Sequence, residues 1–411
     1  MGFINQYRGL GKSVYTLFLV NFINYTGNFV YPFLVLILGS VSDLNSKTTG
    51  TIMMAVSIAF VPGSMLGGKL ADTIGRKKIL ILSMSLKALI FILCALYIDY
   101  IYFLIILLVL ASFIGGLSGP SFGAIVADLT NKEDRKVAFS LLYLGVNLGM
   151  GISPMLAGFF YKYSITALFV GDAVTLLLAV YLIYKNVPET FQRINDKKFK
   201  VQKENSKKEG LVRILLKTPV LLGFLPVLLA YYFIYSQHSF SLPLQMDKYF
   251  FEQGPSIFGI IMAVNAVVVI VLTSFVTLLT KKLTDITIIA LSGILLGGGF
   301  GLVGIATTVP SLIISTIIWT IGEIMFATNS GAFVANVTPS QYRGRINSIV
   351  SITRSAGLAI GPWAMGYYID FFNLHSVWGA LLVVGIAYCI GAYALNFIIK
   401  REKTTVLKRH A

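Results

Sequence analysis

Apolar residues run along this chain in blocks of about 20 or more, separated by short polar stretches, and such blocks match the length a helix needs to cross a bilayer. In order, they predict twelve spans near residues 14–39, 49–69, 79–98, 101–126, 137–161, 165–185, 214–240, 255–280, 286–306, 310–334, 345–369 and 375–399. Polar residues inside the spans are few and patterned. In the first span Asn21, Asn24, Tyr25, Asn28 and Tyr31 recur at steps of three and four, which places them on one helical face beside Pro32. A polar stripe within a bilayer must face protein or water, so it either joins helices by hydrogen bonds or lines a cavity. Its length of about three turns favours the cavity wall. Span 5 carries Gly145, Gly149, Gly151, Ser153, Ala157 and Gly158, a small-residue face suited to close helix packing, with Pro154 interrupting its hydrogen-bond ladder. The one long polar segment, Pro188 to Lys217, reads as a linker between two six-span bundles, with a short interfacial helix in its second half. This divides the chain into residues 1–187, a linker at 188–213, residues 214–400 and a tail at 401–411.

Composition narrows the picture further. Apolar residues are 56% of the 411, charged residues 12%, and mean hydropathy is +0.81. A soluble domain carries about a quarter charged residues. The chain is therefore expected to be an all-α polytopic membrane protein. Cys94 and Cys389 fall inside apolar runs and have no metal-ligand spacing, and no metal site is expected. The first apolar run is too long for a signal-peptide core. The net charge of +16 is distributed by topology: with the N-terminus inside, about 28 of the 33 Lys and Arg fall on the inner side. That bias predicts two cytoplasmic termini, and the expected setting is a bacterial plasma membrane. Contact with membrane lipid is a secondary role for the cations, and nucleic acid is not an expected partner. His238, His375 and His410 are the only histidines, no constellation of catalytic roles is present, and no enzyme activity is expected.

An internal repeat supports the two-bundle division. Residues from Ile125 align without gaps on those from Phe333, at an offset of 208: Val126 with Val334, Ala127 with Ala335, Thr130 with Thr338, Arg135 with Arg343, Gly149 with Gly357, Pro154 with Pro362 and Gly158 with Gly366. An even number of spans per half makes the repeats parallel about an axis along the membrane normal. Two positions break the symmetry. Glu323 in span 10 stands opposite Gly115, and Arg354 in span 11 stands opposite Val146. At 1.5 Å per residue they lie roughly 18 Å and 14 Å along their helices, near the midplane, where the two can pair. Either they form a structural ion pair or they mark a functional site; an intramembrane acid favours the second. Lys87, about 13 Å deep in span 3, has Asp172 of span 6 as one possible partner, and a structural pair or snorkelling is preferred for it.

The stretch Gly67 to Leu80, GGKLADTIGRKKIL, carries glycines, an acid, a turn and three cations between spans 2 and 3. Its pattern G-x-L-A-D-x-x-G-R-K, complete from Gly68 to Lys77, resembles the conserved loop of the major facilitator superfamily. Gly149, Pro154 and Gly158 are similar to the fifth-helix signature of that superfamily's proton-coupled exporters, with Ser153 and Ala157 in place of two glycines. The second half keeps Gly361-Pro362 at the matching place. Trp319 to Ile324, with its Gly322-Glu323 pair, looks like span 10 of the same exporters. The chain departs from many members in having no arginine near Ala111 and Ser112, and no acid at Leu142.

The resemblance implies two pseudo-symmetric six-helix bundles and proton-coupled export of small amphipathic compounds by alternating access, as a monomer, with the proton gradient as energy source and no cofactor. Glu323 would bind the proton, with Arg354 as a fixed counter-charge. Gly68, Asp72, Gly75, Arg76, Lys77, Asp128 and Arg135 would form a conformational latch, with Asp72 meeting the start of span 11 near Arg345 and the cations meeting Asp128. From their own chemistry, Tyr232, Tyr235, Phe326 and Asn329 either join the first-span stripe in lining a cavity for amphipathic ligands or serve ordinary packing and an interfacial aromatic belt. A lipid or lysolipid translocator on the same fold is the alternative.

Overall fold

The computed structural model describes residues 7–42, 44–131, 134–191, 218–338 and 342–410, with side chains left out at 136, 343–345 and 397–410. The linker beyond 191, including its expected interfacial helix, lies outside the described residues. Every regular element among those described is helical: α1 (Lys12–Thr26), α2 (Val30–Val41), α3 (Ser46–Ile74), α4 (Arg76–Leu96), α5 (Ile101–Leu129), α6 (Arg135–Tyr163), α7 (Ile165–Asn186), α8 (Pro219–Tyr235), α9 (Ser241–Phe250), α10 (Gly254–Thr280), α11 (Asp285–Val303), α12 (Val309–Val337), α13 (Arg343–Phe371) and α14 (Ser376–His410). Two short 3-10 turns flank α9.

Among the described residues ten stretches are long and apolar enough to cross a membrane, and one of them, Pro219–Thr280, takes in predicted span 8 and the described part of predicted span 7. The remaining predicted span is α13, whose apolar content is diluted by Asn347, Ser348, Ser351, Thr353, Arg354 and Ser355. Span 7 is longer than its apolar run suggests. After the turn at Ser236–His238 the chain re-enters helix as α9, where Ser241, Leu242, Pro243, Gln245 and Met246 are buried. Span 1 is split rather than continuous. Its break at Gly27–Phe29 leaves the Val30 N–H without a helical partner, and the carboxylate of buried Asp172 on α7 accepts it at 3.3 Å. The Ser153 hydroxyl donates to the Asn28 carbonyl at 2.8 Å on the other side of the break. In a bilayer, freed backbone groups need such internal partners, and these two side chains supply them.

The chain forms two compact units. The first comprises residues 1–193 with 238–267 and 362–371; the second comprises 194–237, 268–361 and 372–411. The boundary thus passes through the turn at Ser236–His238, α10 and α13 as well as the linker.

Within the first unit, α3 packs along α5, α4 lies between α5 and α7, and α1 rests on α6 and α7. The small face of α6 is used for packing: a methyl at Gly149 would meet the Phe22 carbonyl and the Thr26 nitrogen, both at 2.8 Å. At the end carrying Ser46 and Pro255, two crossings obey the internal repeat. Gly50 and Gly366 lie against the backbones of Pro362 and Ser46, while Gly158 and Gly259 lie against those of Pro255 and Pro154. Backbone meets backbone there because no side chain intervenes. Phe33 on α2 packs edge-on against Phe258 on α10 at 5.2 Å, closing the apolar core of that end.

In the second unit α11 packs between α12 and α14, and α14 also rests on α8. Phe300 stacks on Trp319 and Trp378, with ring centroids 5.2 and 6.3 Å apart. Two fully buried serines find partners across helices: Ser315 donates to the Gly299 carbonyl at 2.8 Å, and Ser292 pairs with Tyr388 at 2.9 Å. A capping box between Thr308 and Ser311 starts α12 and sets the register of Glu323 along it.

Candidate functional site

The second unit brings one acid, one cation and a set of aromatics together where the last turns of α8 meet the middle of α12. Glu323 lies 14 residues into α12, roughly 21 Å from its start. On α8, Tyr231 and Tyr235 are one turn apart, and their rings stack at 5.8 Å. The Tyr235 hydroxyl donates to a carboxylate oxygen of Glu323 at 3.0 Å. Tyr231 stacks on Phe326 with centroids 3.5 Å apart, and Tyr232 meets both rings edge-on at 5.0 and 5.9 Å. On α13 a methyl at Gly357 would lie 2.7 Å from the Tyr232 Cβ and 2.9 Å from the Leu229 carbonyl. Glycine therefore lets α13 approach α8, and Arg354, nearly a turn earlier, comes over the Tyr232 ring at 5.4 Å. Among the described residues Arg354 has no carboxylate within 4.0 Å, so its side chain takes an aromatic face rather than the expected direct pair with Glu323.

The predicted cavity residues divide by burial. Tyr232, Tyr235 and Asn329 are half-buried, whereas Phe326 is only 1% exposed and belongs to the packed aromatic core. The Asn329 amide donates to its own helix at the Met325 carbonyl, 2.8 Å away. In the first unit Asn21, Asn24, Tyr25 and Asn28 are half-buried and Tyr31 is exposed; Asn21 reaches the Leu142 carbonyl at 3.5 Å. Lys87 does not pair with Asp172 within 4.0 Å. It runs along Gly115 of α5 and over the Phe91 ring at 5.1 Å, while Asp172 serves the helix break.

The loop between α3 and α4 is ordered by charge. Gly75 adopts φ +127°, a conformation glycine reaches without strain, and α4 starts at the next residue. Arg76 forms an ion pair with Asp128 of α5 and a second, at 3.7 Å, with Asp72. The Asp72 side chain is 71% exposed. Arg135 donates to the carbonyls of Ala127 and Thr130 at 2.7 and 3.3 Å, closing the turn into α6.

One participant escaped sequence reasoning. Glu189 accepts the backbone N–H groups of Arg76, Lys77 and Lys78 at 3.1 to 3.3 Å, capping α4 from more than 110 residues away. Burial acts to raise its carboxyl, but N–H bonds from Lys77, Phe191, Lys78 and Arg76 outweigh that and hold it below the usual carboxylate range. Its sequence signal was a lone acid after Pro188, just past a span. The second unit repeats the Arg76–Asp128 contact with altered chemistry, since Asn336, 208 residues after Asp128, donates to Asp285 at 3.1 Å.

This architecture has known counterparts. The sequence profile of the Major Facilitator Superfamily matches residues 17–325 and 253–410. The chain belongs to the major facilitator superfamily. It is 24% identical to the MFS-type transporter YqjV of Bacillus subtilis over 374 residues, 88% of each chain. It is 22% identical to a Na(+), Li(+), K(+)/H(+) antiporter of Planococcus maritimus, over 83% of this chain and 85% of that one. Among solved structures, a POT family transporter in complex with a thioalcohol-conjugated peptide superposes with a TM-score of 0.77 at 16% identity, covering 96% of this chain and 99% of that chain. The superfamily chain is thus a multi-pass membrane transporter for small molecules, with bacterial relatives, and not an enzyme.

Proposed function

We propose that this major facilitator transporter exports small amphipathic compounds in exchange for protons, by alternating access. It works as a monomer in a bacterial plasma membrane, with both termini in the cytoplasm. The observation that carries the reading is the Glu323 carboxylate at mid-depth of α12, tethered by the Tyr235 hydroxyl at 3.0 Å within an aromatic wall. A membrane-embedded acid persists where protonation or a ligand compensates its charge in turn. Among the described residues, Tyr231, Tyr232 and Tyr235 on α8 act on it electrostatically, and Arg354 on α13 acts on Tyr232 and Tyr235 beside it. A proton and a cationic group of the substrate then compete for the same carboxylate, which is the requirement for exchange rather than co-transport. The repeat supports this assignment, because the matching place in the first half is Gly115, with Lys87 alongside. The Planococcus maritimus relative, named as an H(+) antiporter, supports proton exchange as the mode.

The test is transport in inverted vesicles. An imposed proton gradient should drive uptake of a fluorescent amphipathic dye into vesicles carrying the wild-type protein, and Glu323→Gln should abolish the gradient-driven component. Undiminished gradient-driven uptake by Glu323→Gln would remove the coupling role.

A further inference from the structure

Arg354 is costly to keep where it is, because a guanidinium within a bilayer needs a compensating partner or water. It stands on a polar face of α13: Asn347, Ser351 and Arg354 follow at i, i+4 and i+7, and all three are exposed. Ile352, two residues away and on the opposite face, is 61% exposed and suited to lipid. Arg354 therefore belongs to an exposed polar face of α13 rather than to its apolar one. The Tyr232 ring beneath it offers a cation–π contact, which uses no N–H acceptor and leaves the donor edges of the fork open. Those edges match a carboxylate or a related oxyanion in a bidentate manner. Beside them, Tyr232 is braced edge-on by Tyr231 and Phe326, both at most 3% exposed, so the aromatic surface is rigid. One helix over, Glu323 supplies the opposite charge.

We infer that Arg354 determines specificity and that the preferred substrates are aromatic zwitterions. The anionic group lies on the Arg354 fork, the ring lies against Tyr232, and the ammonium faces Glu323. A purely cationic compound leaves the guanidinium uncompensated and is repelled by it, whereas a purely anionic one lacks the group that competes with the proton. This rests on the export reading above and names the substrate class for the same carboxylate.

A matched probe series tests it with the full-length protein in nanodiscs and proteoliposomes: a fluorescent quinolone carboxylate bearing a piperazine, its methyl ester and its N-acetyl derivative. Wild type should bind the zwitterion about tenfold more tightly than the ester, equivalent to about 1.4 kcal/mol. Arg354→Gln should reduce that preference to within about twofold while ester binding is retained, and Arg354→Lys should restore part of it. In Glu323→Gln the carboxylate preference should survive while proton-driven exchange is lost. Equal wild-type affinity for zwitterion and ester overturns the inference, whatever the variants do. So does a parallel loss of all three ligands in Arg354→Gln, or loss of the carboxylate preference in Lys87→Gln instead. If no probe moves in response to a proton gradient yet the carboxylate preference stands, the coupling reading fails and Arg354 keeps its role.

Discussion

The crossing of α6 with the start of α10 is a sharp point at which to perturb the protein. A methyl at Gly158 would stand 2.8 Å from the Pro255 carbonyl oxygen and 3.2 Å from the Ser256 Cα. Ordinary contact begins near 3.4 Å, and the opposing atoms are backbone, so Gly158→Ala must push two helices apart by roughly half an ångström. Overpacking of this kind costs about 1–3 kcal/mol. If that cost falls on this conformation alone, the population in which the crossing is open rises by a factor of about 5 to 150. Thr49, at 3% exposure in the first turn of α3, reports on the same end. In a background lacking Cys94 and Cys389, a Thr49→Cys probe should react with a membrane-impermeant maleimide at least about five times faster when Gly158→Ala is added. A methyl at Gly123 would meet no atom within 4 Å, so Gly123→Ala serves as the control. An unchanged labelling rate in Gly158→Ala, or an equal rise in Gly123→Ala, refutes the idea that this backbone contact holds the end shut.

Two further outcomes concern the opposite end of the first unit. Glu189→Gln should lower thermal stability in detergent at neutral pH, by about 1 kcal/mol for loss of a charged helix cap. Because the Glu189 carboxyl is depressed on folding, its contribution is present above the unfolded pKa and is lost as pH falls through the folded one. The gap between wild type and variant should therefore close below about pH 4, and a gap that persists there rules out the charge as its source. A double-mutant cycle on Arg76→Gln and Asp128→Asn should return a coupling energy of roughly 1 kcal/mol, since the two side chains are only 22% and 31% exposed. A value near zero would make the contact incidental to stability.

The sequence alone determined the transmembrane character of the chain, the order of its spans and the internal repeat. These depend on apolar run length and residue periodicity, which are local properties read one helix at a time. It also singled out Glu323 and Arg354, because a charge inside an apolar run has no local excuse. What it could not supply was the partner of each group. Tyr235 reaches Glu323 across 88 residues, Glu189 caps α4 across 113, and Asp172 serves the broken first span across 142. Each of these contacts depends on which helices become neighbours and how they are rotated, information held in packing rather than in any one segment. The same holds for Phe326, whose aromatic character suits either a cavity wall or a core until Tyr231 is found stacked on it. It holds also for Arg354: sequence placed it near a carboxylate, but the close approach at Gly357 set it over Tyr232.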